Sequence, residues 1–193
     1  MQLTATSKPL LYSASMPITG DLQLDHLPWQ SVAQPPPGFE YRNILQNFDA
    51  CNPILITVIN HIRNCQYTLL DTLWTNDYFK QHLWGCATLD QLKSIVSPYI
   101  ELTRDQPGYY CVRHVDNLRA ITTGMIFFND QHSPRSSTRF YTKQYSLRSL
   151  TMPSGMGQGW YTANWHDCWH SGANRTSTVR YSVKFGLNLT LPD

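Results

Sequence analysis

The feature that most constrains this chain is its last stretch, residues 178–191, in which apolar and polar side chains alternate without a break. Val179, Tyr181, Val183, Phe185, Leu187, Leu189 and Leu191 occupy the odd positions, while Arg180, Ser182, Lys184, Gly186, Asn188 and Thr190 fall between them. A period of two over this length specifies a β-strand with one apolar face and one wet face. At about 3.4 Å per residue it would extend roughly 45 Å, far beyond an ordinary strand. Seven apolar side chains at roughly 2 kcal/mol each cannot stay in water, so the strand must lie on a second layer. The expected fold is therefore mainly β with a helical insertion (α+β): an antiparallel β-sandwich, the jelly roll being one such arrangement, preceded by an extended N-terminal arm.

The remaining sequence fits that frame. From Met1 to about Tyr41 no period is sustained, and Pro9, Pro17, Pro28 and the run Pro35, Pro36, Pro37, Gly38 interrupt the chain. Leu10, Leu11, Leu22, Leu24, Leu27 and Trp29 make this segment too apolar for a free linker, so residues 1–41 are expected to be an arm lying on a surface, its own or a neighbour's. Residues 42–193 form the single β-rich domain, with a helical segment at about 53–99. Asn52 and Pro53 make a helix start. Leu55, Val58, Ile59, Ile62, Cys65, Leu69, Leu70 and Leu73 then step by three and four to about Trp74. The β-branched residues Ile54, Ile56, Thr57, Val58 and Ile59 leave open a strand here, followed by a helix from about Cys65. Thr88 and Gln91 form a capping box for a second helix that Pro98 stops. After the turn signal at Asp105, Pro107 and Gly108, strands are expected over Tyr109–Val115, Ile121–Asn129, Arg139–Leu150 and Trp160–His170, with breaks at Asp116-Asn117 and around Pro134. Ile126, Phe127 and Phe128 place apolar groups on both faces of a central strand.

Composition bears on function. Charged residues make up only 15% of the 193 residues, and Glu occurs only at positions 40 and 101. Thr, Ser, Gln, Asn, Tyr and Pro take the remaining polar positions, a profile of strands, turns and arms. Residues 1–100 carry five Lys/Arg against seven Asp/Glu, and residues 101–193 carry ten against six, so charges of −2 and +4 make up the net +2. No basic arm is present, and contact with nucleic acid is expected to be weak; Arg135, Arg139, Lys143 and Arg148 are expected on a solvated sheet face. Met1–Ser15 lacks the basic start and apolar core of a signal peptide, and no run is apolar enough to span a membrane. Five cysteines, at 51, 65, 86, 111 and 168, are an odd number and are expected as reduced thiols.

Three constellations could carry chemistry. His166, Cys168 and His170 would share one face of a strand, a three-ligand arrangement for zinc to which Cys111 and His114 could add from another strand. Trp160, Trp165 and Trp169 could pack internally or form a stacking platform for a glycan or receptor. The third surrounds Cys65. Asn64-Cys65-Gln66-Tyr67-Thr68-Leu69-Leu70, His82-Leu83-Trp84-Gly85, Thr88-Leu89-Asp90-Gln91-Leu92 and Phe128-Asn129-Asp130-Gln131-His132 resemble viral papain-like and ovarian-tumour-type cysteine proteases. That resemblance implies Cys65 as nucleophile at a helix N-terminus and His132 as base. The Asp-Gly before the cysteine, common in the ovarian-tumour group, is missing. Against it stands a Cys65 buried inside a helix that begins at Pro53. No Gly-rich phosphate loop, Gly-x-Ser-x-Gly elbow or telling carboxylate pair occurs.

The leading expectation is a structural protein of an assembled particle, a viral capsid or capsid-associated subunit located in the virion, or otherwise intracellular. Its partners would be copies of itself or other particle subunits, engaged through the arm, with no cofactor and no catalytic set. The cysteine protease and the glycan- or receptor-binding module are the alternatives.

Overall fold

The computed structural model describes residues 1–81, 86–117, 119–130, 136–164 and 168–190. The protein is mainly antiparallel β with few helices. In chain order the strands and helices are β1 (Gln2–Ala5), β2 (Leu11–Ser15), β3 (Gln30–Ser31), β4 (Arg42–Leu45), α1 (Pro53–Trp74), α2 (Asp77–Gln81), α3 (Leu89–Ser94), β5 (Val96–Asp105), β6 (Tyr110–His114), β7 (Ala120–Phe127), β8 (Arg139–Tyr141), β9 (Ser149–Thr151), β10 (Gln158–Ala163), β11 (His170–Ala173) and β12 (Arg180–Leu189). Eight strands form one sheet in the order β1-β2-β10-β7-β12-β5-β4-β3, and four form another, β6-β11-β8-β9.

The final strand behaves as its alternation predicts on one side and differently on the other. Tyr181, Val183, Phe185 and Leu187 are buried in a core shared with Leu55, Ile59, Ile62, Leu69 and Leu70 of α1. α1 therefore supplies the covering layer for the apolar face. Arg180 and Ser182, on the face expected to be wet, are each 1% exposed. That face looks inward, toward the four-stranded sheet. A second core, including Met125, Phe127, Phe140, Trp160 and Cys168, joins residues of both sheets. β7 is buried along its whole length between β10 and β12, as the apolar groups on both its faces predict.

Local signals account for the helices. The Asn52 side chain accepts a hydrogen bond from Leu55 N at 2.8 Å and Pro53 takes the first helical position, so α1 is one continuous helix and the strand-then-helix alternative is not adopted. The Thr88–Gln91 capping box opens α3, which ends at Ser94 before Pro98 is reached. Pro98 instead lies within β5 where, among the described residues, only β12 pairs with it, because β4 joins from Leu102 onward. Arg139–Leu150, predicted as one strand, is a hairpin of β8 and β9. The segment predicted as an arm contributes strands at both edges of its own sheet, β1 and β2 at one and β3 at the other.

Candidate metal and anion site

β6 and β11 are neighbours, and their register sets His170 opposite His114. Asp116 follows two residues after His114, on the same side of the extended chain. The result is a cluster of two imidazoles and one carboxylate whose ligand atoms all lie within 4.8 Å of one another. His114 Nε2 is 3.7 Å from Asp116 Oδ1, and His170 Nε2 is 3.7 Å from Asp116 Oδ2.

Both rings are held from behind. His170 Nδ1 donates to the Cys168 carbonyl at 2.9 Å, and His114 Nδ1 to the Val112 carbonyl at 2.9 Å. With Nδ1 committed, Nε2 of each ring is the atom turned to the centre, as in histidines that bind metals. Phe140 stacks on His170 at 5.2 Å between centroids, which fixes its plane.

The electrostatics suit a cation. Burial pushes the His170 imidazole down to about 4, with the Asp116 carboxylate acting in the opposite direction, so the ring is neutral near pH 7 and its lone pair is free. Burial would also raise the Asp116 carboxyl, but the His114 hydrogen bond and the charge and hydrogen bond of Lys184 outweigh it and hold the group ionised, well below the usual range. For His114, burial is outweighed by hydrogen bonds to Asp116 and Cys111, which lift it to about 10. It carries a proton that a metal would replace. Lys184 Nζ meets Asp116 Oδ1 at 3.0 Å, whereas Asp116 Oδ2 is buried with no hydrogen-bond partner among the described residues.

A basic cluster lies on the inward face of the large sheet. The registers of β4 with β5 and of β12 with β5 set Arg42 and Arg180 on either side of Asp105. Arg42 Nε meets Asp105 Oδ1 at 2.6 Å and Nη2 meets Oδ2 at 2.9 Å; Arg180 Nη2 and Nε reach Oδ2 at 2.5 and 3.1 Å. Burial alone would raise the Asp105 carboxyl, but the two guanidiniums overcome it and hold the group low. Two cations and one anion leave the cluster with a net charge of +1, buried. A cavity of about 70 Å³ is lined by Arg42 and Arg180 of this cluster and by the histidine–aspartate cluster together, with Trp160, Tyr109 and Lys184 in its wall. Trp160 Nε1 is buried without a hydrogen-bond partner among the described residues. A Cβ added at Gly172, in the same wall, would meet nothing within 4 Å.

A divalent metal fits these residues. Two imidazole nitrogens, that of His170 neutral and that of His114 freed when a metal replaces its proton, and one pre-oriented carboxylate oxygen form the two-histidine, one-carboxylate set associated with non-heme iron(II). The positive cluster and unpartnered indole beside it fit a small anion.

Of the residues expected from sequence, His170 is in the cluster, and His114, considered only as an auxiliary, is a full member. Cys168 is not brought in. It is buried beside Thr162, with its sulfur 3.6 Å from the Thr162 hydroxyl, and burial pushes its thiol up to about 12, far from the thiolate a metal requires. His166 and Trp165 lie outside the described residues. Trp160 forms the cavity wall at 2% exposure and so offers no surface platform, while Trp169 is half-buried. Cys65 lies in the middle of α1, 3.6 Å from His61, because capping by Asn52 starts the helix twelve residues earlier; the helix-terminus geometry of a nucleophile is absent there. His132 lies outside the described residues. Asp116, Arg42, Asp105 and Arg180 were missed as site residues. The spacing of His114 and Asp116, two apart at a strand end, and the two cations at even positions of the last strand were the available signals.

No family model and no curated relative matches the sequence. Solved structures do match the fold. The chain is similar to SnoN, a non-heme alpha-ketoglutarate dependent epimerase from nogalamycin biosynthesis (TM-score 0.56, 12% identity, 92% of this chain and 77% of that one). It is similar to dioxygenase for auxin oxidation 1 of Arabidopsis thaliana, solved with 2-oxoglutarate (0.56, 11%, 79% and 64%). It also resembles an oxidoreductase of the 2OG-Fe(II) oxygenase family from Burkholderia pseudomallei (0.54, 11%, 85% and 74%). At these identities the likeness establishes the fold. The expectation of a capsid subunit is overturned, and with it the virion placement and the protease and glycan-binding alternatives, because the neighbours are oxygenase-type enzymes. Among the described residues no helix is long and apolar enough to cross a membrane.

Proposed function

We propose that the chain is an iron(II)- and 2-oxo-acid-dependent oxygenase built on a jelly roll, with 2-oxoglutarate as cosubstrate. The observation that carries this reading is the convergence of His114, Asp116 and His170 with both Nδ1 atoms tied back to carbonyls. The positive Arg42–Asp105–Arg180 cluster in the same cavity supports a dicarboxylate beside the metal. The overall reaction class is R–H + 2-oxoglutarate + O₂ → R–OH + succinate + CO₂, in which the 2-oxo acid and R–H each supply two electrons, one atom of O₂ enters R–OH and the other enters succinate, and CO₂ leaves from the carboxylate next to the oxo group. Ferrous iron held by the three ligands would supply the redox chemistry that couples the two oxidations.

The chain's own contributions follow from the geometry. His114 and His170 present Nε2, and Asp116 presents Oδ2 while Lys184 holds Oδ1. Trp160 and Met125 supply apolar wall to the cavity and limit water there, and Phe140 packs against His170 and Trp160. The test is turnover without added substrate: purified protein, ferrous iron, ascorbate and 2-oxoglutarate in air, with succinate followed by proton NMR. Slow succinate formation, lost in His170→Ala and Asp116→Ala, is expected. A protein that binds no Mn(II) by titration and forms no succinate would exclude the assignment.

A further inference from the structure

We infer that the outward face of the four-stranded sheet binds single-stranded nucleic acid, with phosphates on Arg113, Arg139 and Arg175 and bases stacked on tyrosine rings. The inference goes beyond the oxygenase reading and does not rest on it, because this face lies across the sheet from the histidine–aspartate cluster. On β8, Phe140 points inward to stack on His170, so its neighbours Arg139 and Tyr141 point outward.

A groove of about 350 Å³ runs over this face, and the three arginines, Tyr110, Tyr141 and Ser171 are in its wall. No Asp or Glu lines it. Arg113 donates to the Gln144 carbonyl and lies 3.6 Å over the Tyr141 ring, whose hydroxyl is 2.9 Å from that of Ser171. One guanidinium and one ring are thus held as a flat platform. The guanidiniums of Arg139 and Arg175, by contrast, have no hydrogen bond or ion pair among the described residues.

The charge is unopposed across the whole sheet. β6, β8, β9 and β11 contain no Asp or Glu, and residues 131–166 hold four Lys/Arg and no Asp/Glu. A concave surface of one sign draws in the opposite charge. Four strands at about 4.8 Å spacing cover roughly 14 Å, wider than a single phosphate requires. Cations spread in this way, with rings between them, match a repeat of phosphates and bases. Tyr110 is 39% exposed, and Tyr145, next to Gln144, is 86% exposed, so both rings stand in water where a base can stack. An acidic peptide would engage the arginines and leave the rings unused. The arginines are far apart in sequence and no basic arm announces them; the pairing of β6 and β8 with β11 brings them together.

The experiment is fluorescence anisotropy of labelled oligo-dT and oligo-U, each about twelve nucleotides long, titrated with the full chain. Wild type should bind both with a dissociation constant of about 1–100 µM at low salt. Three phosphate contacts at about −0.7 each give a log–log salt slope of about −2, a roughly 20-fold loss between 50 and 200 mM salt. Arg139→Gln with Arg175→Gln should bring the slope to about −0.7 and weaken binding at least about tenfold at low salt. Arg139→Lys with Arg175→Lys, which keeps the charge, should keep the slope. Tyr110→Leu should weaken binding about tenfold with the slope unchanged, and Lys80→Gln, on α2, should bind as wild type does. No binding at about 100 µM protein, a Gln double variant that binds like wild type, an equal loss in Lys80→Gln, or competition by polyglutamate as effective as by unlabelled oligonucleotide would each overturn the inference. Mn(II) titration of the same variants should match wild type, and failure of wild type to bind Mn(II) would remove the oxygenase reading while leaving this surface standing.

Discussion

Asp105→Asn is the most informative perturbation of this fold, because a single carboxylate joins three adjacent strands. Asp105 is 0% exposed and is flanked in register by Arg42 on β4 and Arg180 on β12. With Asn in its place the cluster changes from +1 to +2 in a buried setting. The uncharged amide keeps one acceptor oxygen where the carboxylate had two, and its NH₂ group, a donor, would face a guanidinium. Breaking a buried pair by removing one partner costs about 3–5 kcal/mol, so a loss of about 4 kcal/mol is expected, a large share of the roughly 5–15 kcal/mol that stabilises a typical domain. For a chain of this length each kcal/mol lowers the melting temperature by about 2–4 °C, which puts the expected drop at roughly 8–16 °C by scanning calorimetry. The double variant Asp105→Asn with Arg42→Met leaves one buried cation instead of two. It should melt above the single Asp105→Asn variant, although it carries one more substitution. A single variant within 2 °C of wild type, or a double variant below the single, would show that the three charges are not coupled as the distances imply.

Three other outcomes follow. The Asp105 carboxyl is held low in the folded protein, so its stabilisation is fully present above its unfolded value of about 4 and is lost as pH falls through the folded value; urea midpoints of wild type should decline more steeply below pH 4 than those of Asp105→Asn. Gly159→Ala would set a Cβ 1.8 Å from the Met125 carbonyl oxygen across the β10–β7 pairing, and because the obstacle is backbone, a loss at or above about 3 kcal/mol is expected in chemical denaturation. Mn(II) at a hundredfold excess over its dissociation constant should stabilise wild type by about 2.7 kcal/mol and leave the melting temperature of His170→Ala unchanged.

What the sequence could and could not disclose divides along one line: periodicity reports which residues share a face, and is silent on what that face meets. The alternation in β12 was legible almost to its ends, Arg180–Leu189 against an expected 178–191. Its polar face was assigned to solvent, whereas Arg180 and Ser182 face the cavity between the sheets. A solvated strand and one lining a polar cavity have the same pattern of period two, and the Asp105 that neutralises Arg180 lies 75 positions away in sequence. Asp116 was obscured by its own chemistry. Aspartate favours turns, and Asp116-Asn117 ends a strand, so the residue reads as a break even though it joins the histidine cluster two positions from His114. His170 was grouped with His166 and Cys168 on the assumption that one strand runs from Trp160 to His170. β10 stops at Ala163 and β11 starts at His170, so the alternation does not carry across, and the partners of His170 come from β6 by sheet register. β5, which supplies Asp105 and divides the two arginines, was not anticipated at all, because Pro98 and the turn that follows hide a ten-residue strand. The capsid expectation drew on a long two-faced strand and an uncharged polar composition, properties that any protein of this architecture can share. The oxygenase proposal rests instead on the side chains in the space between the sheets, and their arrangement is set by strand pairing.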